Sequence, residues 1–572
     1  MKKAGLFILI VVVFGTFFFF LNQDRQTFLV GSAKKTSDEK IASIIVPHFN
    51  TFSEKRLELF DNISLKAQVD VVFLVSVNHF NTGSSNFLTT DKVWSTSEGK
   101  MKADDEMVKK LSDSGLVTKD ESAFANEHGI SNIIPDLIKS KFGKKVVPII
   151  IKDTASKEDV DRLINWIGEN TKNSVLVASV DFSHYQPNAL AKIHDSYSIQ
   201  ALSNNDQDAI WNAETDSPQS LYMAQKVAEK NDAKNFNLFF NSNSGELNKN
   251  DDAETTSVVL GYYSNKKAEE PLEKSSSFVI AGDAMFDRNV WQRSKTAGFK
   301  SIFDNLGTRV FRGVDAAVLN LEGPVSENPI PGIETGGMSF NFQPEIPSVL
   351  KWIGVGAVSL ANNHTNNAGT SGFASTKKML DKSGIKYFGL PEGYTEASVL
   401  RIDGEVPISI IGIMTLENFD QAALEAKIKA EKAAGQFVIV YPHWGTEYAP
   451  KHSASQKQMA KGWITAGADL IVGSHPHVTQ DFEIIDGKPV IYSLGNFVFD
   501  QFFSEETQQG LVLAGTITKE KITLTFLPTK EKLVKPELMR GSEKTNKLKT
   551  ILDINSELGF KKISSDTIEI KR

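Results

Sequence analysis

The chain has 572 residues, enough for two large domains or three to four ordinary ones, and its 41% hydrophobic and 23% charged residues are typical of globular protein. A formal net charge of −7 with no basic run argues against nucleic acid as a partner. Because the sequence has no cysteine, disulfides, thiolate nucleophiles and Cys-ligated zinc are excluded. Any metal must therefore be held by His, Asp, Glu or Asn.

Residues 1–22 are predicted to be a transmembrane anchor or a signal. Lys2 and Lys3 precede an uncharged apolar run, 4–21, that is at the short end of what spans a bilayer. The positive-inside rule then places the N-terminus in the cytoplasm and the rest of the chain outside, in a single-pass protein of the cell membrane. A cleaved signal is the alternative, since VGSA at 30–33 offers small residues, but the retained anchor is favoured. A polar tether is expected over 23–40.

The region 41–264 is expected to form an α/β domain. Four β-branched runs, IASIIVPH, VDVVFLVSVNH, KVVPIIIKD and SVLVASVDFSH, are typical of buried strands, and the amphipathic stretches DEMVKKLSDSGL and KEDVDRLINWIGEN between them predict helices. This alternation favours a largely parallel sheet. His48, His79 and His184 stand at or just beyond strand ends, where α/β sheets bind ligands. Asp181 is close enough in sequence to orient His184.

The motifs IIVPH, VNHFNTG, EHGISNIIP, SVDFSHYQPNALAKIHD and NSGELNKNDDAETTSVVLGYYS resemble, in this order, the Memo-like family (AmmeMemoRadiSam system protein B), whose fold is similar to class III extradiol dioxygenases. The resemblance implies that His48 and His79 are metal-site histidines and that His184 is an acid/base-like histidine. The sequence departs from the family at Phe49-Asn50-Thr51, at Asn132, and near 241–245, where a third ligand would be Cys. Two histidines alone bind a divalent ion weakly. A weak metal site and a ligand pocket without chemistry both stay open.

A charged, Ser-rich linker is predicted over 265–277 (NKKAEEPLEKSSS), and a second domain over 278–530. Five strand-like runs in this domain end in metal-ligating side chains: Asp283; Asn320 and Glu322; Asn362, Asn363 and His364; His443; His475 and His477. Carboxyl ends of parallel strands meet at one edge of a sheet, so these groups are expected to converge on a metal site.

The motifs GDAMFDR, NLEGP, SLANNHTNNAG, HWGTEY, GADLIVGSHPHVTQ and YSLGNFVF resemble the CapA family, named for poly-γ-glutamate capsule synthesis, over about 278–515. The fold of this family is similar to calcineurin-like metallophosphoesterases, which implies an αββα sandwich. Carried over position by position, the resemblance implies the following metal ligands: Asp283, Glu322, Asn363, His443, His475 and His477. The ions would be Mn, Fe or Zn.

The same resemblance implies that His364 donates a proton to the leaving group, with Arg288 and Glu447 facing the substrate. Two departures bear on this expectation: Met285 replaces the His of the phosphoesterase D-x-H motif, and Asn367 stands where relatives often carry Asp. One bound ion or two are both possible.

The last stretch alternates from about Leu511 and predicts closing antiparallel strands, followed by a C-terminal extension over 531–572 with a short helix and strand. Two functions stay open. The chain is expected to be an anchored, exported, metal-dependent hydrolase or transferase acting on a phosphoester or on a poly-γ-glutamate-like envelope polymer. The alternative is a non-catalytic polymer-handling scaffold at the cell surface.

Overall fold

The computed structural model describes residues 39–67, 69–171, 173–268, 271–334, 337, 339–393, 395–552 and 559–572. The predicted anchor and nearly all of the predicted tether lie outside these residues. Within them, no helix combines the length and apolarity needed to cross a bilayer. The described residues form a mixed α/β fold with several sheets and belong to one unit, Glu39–Arg572.

In the first half of the described chain, four strands run parallel as the sequence predicted. They are ordered Ile41–Val46, Ser174–Ser179, Val71–Val77 and Lys145–Ile151. The remaining strands of this sheet lie at its two sides: Phe87–Thr89, Thr118–Lys119, His184–Gln186, Asn235–Asn243 and Thr255–Ser264. A separate hairpin pairs Val93–Thr96 with Gly99–Lys102.

Helices cover this sheet: Ser53–Lys66, Asp105–Asp113, His128–Ser131, Ile134–Lys139, Lys157–Asn170, Asn188–Asn204, Gln207–Trp211, Pro218–Lys230 and Ser244–Asn248. Lys157–Asn170 shows why they form. Ser156 and Asp159 make a reciprocal capping box at its start. The apolar side chains at i, i+3, i+4 and i+7 then face the core: Val160, Leu163, Ile164 and Ile167.

The second half of the described chain contains two larger sheets. One has the path Lys386–Phe388, Ala357–Ser359, Ala316–Leu321, Ser275–Ala284, Gln509–Thr518, Lys521–Lys532, Thr567–Lys571 and Phe560–Lys562, with Asn496–Val498 and Lys535–Leu538 paired beside it. The other has the path Val399–Ile402, Ile408–Met414, Phe437–His443, Leu470–Val472, Lys488–Ile491 and Phe482–Ile485. The pairing of Gln509–Thr518 with Lys521–Lys532 is antiparallel, which confirms the expectation for this stretch.

These two sheets share a buried apolar cluster to which Ile280 and Val318 contribute from one sheet and Ile410 and Ile439 from the other. The outer faces carry helices: Arg288–Ala297, Ile346–Trp352 and Gly369–Ser383 on the sheet that contains Ser275–Ala284, and Gln421–Ala433 and Ala454–Ala466 on the sheet that contains Phe437–His443. The helix Gly541–Leu552 and the strands after it pack onto the sheet that contains Ser275–Ala284, so the predicted extension is part of this core.

One helix belongs to both halves of the chain. Asn188–Asn204, which we call the bridging helix, contributes Leu202 to the core of the first sheet and Leu190 and Ile193 to the cluster of the second half. Its Ser196 lies 2.9 Å from Ser275, hydroxyl to hydroxyl, where the strand Ser275–Ala284 begins. The two halves are therefore packed together through one helix, whose apolar side chains contribute to the separate core of each half.

Candidate metal centres

Donor side chains in the second half follow strand ends, as the sequence predicted. Asp283 is the penultimate residue of Ser275–Ala284, Glu322 directly follows Ala316–Leu321, and His443 ends Phe437–His443. Both sheets are locally parallel here, so their carboxyl ends meet at one edge. The edge receives all six predicted ligands: Asp283, Glu322, Asn363, His443, His475 and His477.

Asn320 links the two carboxylates of this site. Its amide nitrogen donates to Asp283 Oδ1 at 2.7 Å and lies 3.3 Å from Glu322 Oε2. Asn362 in turn donates to the Asn320 oxygen at 3.0 Å, which fixes the orientation of that amide. Both asparagines are buried, so the acidic pair is held by hydrogen bonds rather than by solvent.

The imidazoles are equally close together. His443 Nε2 lies 2.9 Å from Asn363 Oδ1 and 3.1 Å from His475 Nδ1. His477 places Nδ1 3.6 Å from Asp283 Oδ2 and Nε2 3.6 Å from Glu322 Oε1. Several lone-pair donors thus face one small volume.

The loop that carries two of these imidazoles is strained. His475 has φ +99° and His477 has φ +59°, in the left-handed region that residues with a Cβ rarely adopt. Such strain persists where the surroundings hold it, and it is concentrated at functional sites. Here the backbone N–H of His475 donates to Asp283 Oδ2 at 3.1 Å, and His477 Nδ1 lies 3.0 Å from Asn496 Oδ1.

Burial makes this donor set electrostatically costly without a cation. It raises the pKa of Asp283 to about 6 and the pKa of Glu322 well above its usual range, in the latter case with help from the charge of Asp283. It lowers the pKa of His443 far below its usual range, of His475 to about 4 and of His477 to about 3. The buried Oε1 of Glu322 has no hydrogen-bond partner among the described residues. A carboxylate, amide and imidazole set that leaves a buried oxygen unsatisfied fits a divalent cation.

His364 lies beside this edge and is held from two sides. Its Nδ1 is 2.9 Å from Asn367 Oδ1, and its ring stacks on Phe340 at 4.2 Å between centroids. Burial lowers the pKa of His364. Asn367 therefore supplies an acceptor oxygen to the ring of His364.

Met285 does not approach the ligands through a polar group. It is fully buried in the apolar cluster of the outer face, and its sulfur lies 3.0 Å from the backbone nitrogen of Asp287. Arg288 pairs with Asp500 and stands over the rings of Phe340 and Phe499. Glu447 is exposed. One of its carboxylate oxygens lies within 4.8 Å of a ring nitrogen of His475 and of a ring nitrogen of His477.

A second cluster of donors lies at the edge of the first sheet. His48 Nε2 is 3.3 Å from Asp181 Oδ2 and 3.0 Å from Asp216 Oδ2. His79 Nδ1 is 2.6 Å from Glu127 Oε1, and its Nε2 is 3.8 Å from Asp216 Oδ2. The predicted pair His48 and His79 is thus brought together, with ring centroids 4.8 Å apart.

His128 and His184 complete the lining of this second cluster. The ring centroids of His128 and His79 lie 3.8 Å apart. Burial lowers the pKa of His128, and the charges of the neighbouring histidines lower it further. His184 is half-buried, and its Nδ1 has no hydrogen-bond partner in the described part of the chain. Asn132, one of the departures from the family pattern, donates its amide to the backbone oxygen of His48 at 3.0 Å and so shapes the same pocket.

Asp216 is the residue that sequence reasoning missed. In TDSP it looks like the lead-in to a helix, and Ser217 and Pro218 do begin the helix Pro218–Lys230. Short acidic residues are common before helices, so the pattern contains no signal for a second role. Only the fold reveals it, because the backbone N–H of Asp216 donates to the carbonyl of Asp181 at 3.1 Å and brings the two acidic residues together.

Comparison with known proteins agrees with the two halves. Residues 277–501 match the family described as bacterial capsule synthesis protein PGA_cap, and residues 17–257 match the Memo-like protein family. The chain belongs to the PGA_cap capsule synthesis family and carries a Memo-like domain in addition.

Individual relatives show the same division. The "PGA biosynthesis protein CapA" of Bacillus subtilis (strain 168) is 32% identical over 272 residues, which cover 43% of this chain and 70% of that protein. The "Capsule biosynthesis protein CapA" of Bacillus anthracis is 26% identical over 258 residues, covering 41% of this chain and 62% of that protein. A "MEMO1 family protein" of Nitrosopumilus maritimus (strain SCM1) is 25% identical over 181 residues, covering 31% of this chain and 65% of that protein.

Proposed function

We propose that the capsule-synthesis domain is a metal-dependent hydrolase or transferase acting on a phosphoester or on a poly-γ-glutamate-like envelope polymer. The observation that carries this proposal is the convergence of six ligand-type side chains, all buried except the exposed Asn363, at one strand edge: Asp283, Glu322, Asn363, His443, His475 and His477. The names of the Bacillus relatives, which refer to PGA and capsule biosynthesis, support the polymer context. The helix–sheet–sheet–helix packing supports a metallophosphoesterase-like αββα arrangement over 278–530.

The donor set suits Mn, Fe or Zn ions, one or two of them. Bound there, a divalent ion supplies Lewis acidity toward a phosphoryl or carbonyl oxygen. The protein contributes rigid positioning, since Asn320 orients both carboxylates and Asn496 holds His477. Positioning of this kind is worth several kcal/mol in reactions of bound groups, about 7 to 11 at its largest.

His364 is the proposed proton donor to the leaving group. Its Nδ1 is occupied by Asn367 and its ring is stacked on Phe340, so Nε2 is the nitrogen left to exchange a proton. General acid catalysis by such a group is worth about 10²- to 10⁴-fold in rate. Glu447 and Arg288 border the same edge and are proposed to contact substrate.

We also propose that residues 1–22 anchor the protein and that the domains face the outside of the cell membrane. The support is the sequence alone: Lys2 and Lys3 before a long uncharged apolar run. Protease added to intact spheroplasts should digest the domains. Without protease, the full-length chain should sediment with the membranes, and its recovery in the soluble fraction would contradict the anchor.

The enzymatic proposal is tested with the full-length chain in detergent, loaded with Mn²⁺, Fe²⁺ or Zn²⁺ and assayed on a bis-aryl phosphodiester and on poly-γ-glutamate. The wild type should turn over at least one of them. His364→Ala should lose about 10²- to 10⁴-fold in kcat and keep its metal, whereas Glu322→Gln should lose metal and turnover together.

A non-catalytic scaffold is the other candidate, favoured by the apolar packing of Met285 where phosphoesterases have a ligand. It predicts that wild type and His364→Ala bind polymer equally and are equally inert on both substrates. That result would replace the enzymatic proposal.

A further inference from the structure

The Memo-like domain holds a carboxylate whose surroundings are unusual. Asp216 has a side chain only 9% exposed, and neither of its buried carboxylate oxygens receives a well-aligned hydrogen bond from the described residues. Its Oδ2 lies instead beside two imidazole nitrogens, His48 Nε2 at 3.0 Å and His79 Nε2 at 3.8 Å. A buried, unsatisfied carboxylate is costly, so each instance calls for an explanation.

We infer that His48, His79 and Asp216 form a 2-His-1-carboxylate site for a divalent transition-metal ion, with Asp216 as the third protein ligand. The inference concerns this second pocket and is independent of the function proposed for the capsule-synthesis domain. Such a ligand triad is the arrangement that non-haem Fe(II) enzymes use, and it leaves coordination positions open for exogenous ligands.

The remaining ring nitrogens show which way the imidazole lone pairs point. His79 Nδ1 meets the buried carboxylate of Glu127 at 2.6 Å, so Nδ1 carries the hydrogen and Nε2 keeps its lone pair toward Asp216. Metal-bound histidines are commonly oriented by a carboxylate in this way. The same Glu127 also accepts the backbone N–H of His79 at 3.1 Å, which fixes the ring further.

His48 is arranged alike. Ser179 Oγ donates to the carbonyl of Gly129 at 2.6 Å, so it can only accept from His48 Nδ1, 3.3 Å away. With Nδ1 as the donor, neutral His48 also turns the lone pair of Nε2 toward Asp216. Two imidazole lone pairs and a carboxylate then face one another, and a cation is what such a set of acceptors requires.

Asp181 also borders His48 Nε2, at 3.3 Å through Oδ2, but its other oxygen has a structural task, so Asp181→Asn distinguishes the proposed site from one in which Asp181 is a ligand. Its Oδ1 accepts the backbone N–H groups of His48 at 3.0 Å and Phe49 at 3.1 Å, contacts that an Asn oxygen can also accept. His128 provides the competing arrangement, because ring nitrogens of His48, His79 and His128 lie within 4.8 Å of one another. A three-histidine site and the proposed site thus differ in one ligand.

The test counts metal in the full-length chain carrying Glu322→Gln and His475→Ala, which disable the other candidate centre. Equilibrium dialysis against Co²⁺ with elemental analysis should find one ion per chain, with visible absorption bands of protein-bound Co²⁺. Asp216→Asn should weaken binding by more than the roughly 10- to 100-fold typical of outer contacts, and should change those bands. The affinity of Asp181→Asn for Co²⁺ should differ from that of the parent by no more than this roughly 10- to 100-fold range.

Three results would overturn the inference: no bound Co²⁺ in the parent, unchanged binding in Asp216→Asn, or loss in His128→Ala together with retention in Asp216→Asn. Circular dichroism checks that each variant is folded. Should Asp216→Asn not fold, Asp216→Ser takes its place and is expected to lose the ion to the same extent, whereas His79→Gln would lose the ion in either arrangement.

Discussion

Arg309 of the capsule-synthesis domain forms an ion pair with Glu214 of the Memo-like domain, with 2.6 Å between Nη1 and Oε1. Glu214 is almost completely buried, while the Arg309 side chain is one-third exposed. The backbones approach closely at the same place, since a Cβ on Gly313 would lie 2.8 Å from the nitrogen of Glu214. Glu214 stands two residues before Asp216, so the second domain braces the segment that carries this carboxylate.

Removing Arg309 should therefore destabilise the whole protein. Arg309→Met leaves the Glu214 carboxylate buried without its cation, and we expect a loss of about 2–3 kcal/mol in the free energy of unfolding, below the ~3–5 typical of fully buried pairs. Denaturant unfolding measures the loss. Lys109→Met, which breaks the exposed Lys109–Asp113 pair, is the control and should cost at most about 1 kcal/mol. Equal effects of both variants would contradict a structural role for the buried pair.

Asp195 on the bridging helix should make stability depend on pH. Burial raises the pKa of Asp195 to about 7, against hydrogen bonds from Ser257 and Asn241 that lower it. Between about pH 4 and 7 the folded state therefore binds more protons than the unfolded state, so stability falls as pH rises through this window. Asp195→Asn, which can donate to Ser257 and accept from Asn241, should remove that fall.

We expect the melting temperature of Asp195→Asn to exceed that of the wild type by more at pH 8 than at pH 5, corresponding to a few kcal/mol at most. The exposed Asp208→Asn is the control and should show the smaller change. A difference that shrinks as pH rises would have the wrong sign for a buried, protonated carboxyl.

Metal should stabilise the wild type more than it stabilises Glu322→Gln. Without metal, the variant should be the more stable at pH 7, because it removes a buried carboxyl whose Oε1 is unsatisfied and whose pKa is raised. With Mn²⁺ at about 1,000 times its dissociation constant, the wild type should gain about 4 kcal/mol and the variant much less. Thermal unfolding with and without chelator checks both. A variant that is stabilised by Mn²⁺ as much as the wild type would exclude Glu322 as a ligand.

Asn367 should control the orientation of His364. Asn367→Ala removes the acceptor of Nδ1 and should lower kcat by up to about 100-fold at unchanged metal content, since a misoriented catalytic group loses rate without losing the site. Asn367→Asp keeps the acceptor and should keep most of the activity. Similar kcat values for Ala and Asp would show that this contact does not position the ring.

Much of the fold followed from local patterns. The runs around Val71–Val77 and Phe437–His443 are β-branched and continuously apolar, and such runs become central parallel strands because both of their faces are covered. The convergence of Asp283, His443 and His475 was likewise predictable, since topology forces carboxyl ends of parallel strands onto one edge.

What the sequence could not supply were contacts between distant segments. Asp216 enters its pocket through a backbone hydrogen bond to Asp181, which no local periodicity encodes. The contact of Asn367 with His364 could not be predicted for the same reason, because its oxygen lies 2.9 Å from His364 Nδ1 and accepts the backbone N–H of Phe340 only in the folded chain. The predicted anchor, 1–22, lies outside the described residues and stays a prediction.

The bridging helix also bears on how this gene could have evolved. Leu190 and Ile193 serve the core of one domain while Leu202 serves the other, so a recombination that split the fusion would leave either fragment with an aggregation-prone surface. Once the helix contributed side chains to both cores, separating the two domains into different chains became costly. Inheritance of the pair as a single reading frame is the expected consequence, even if each domain has its own chemistry.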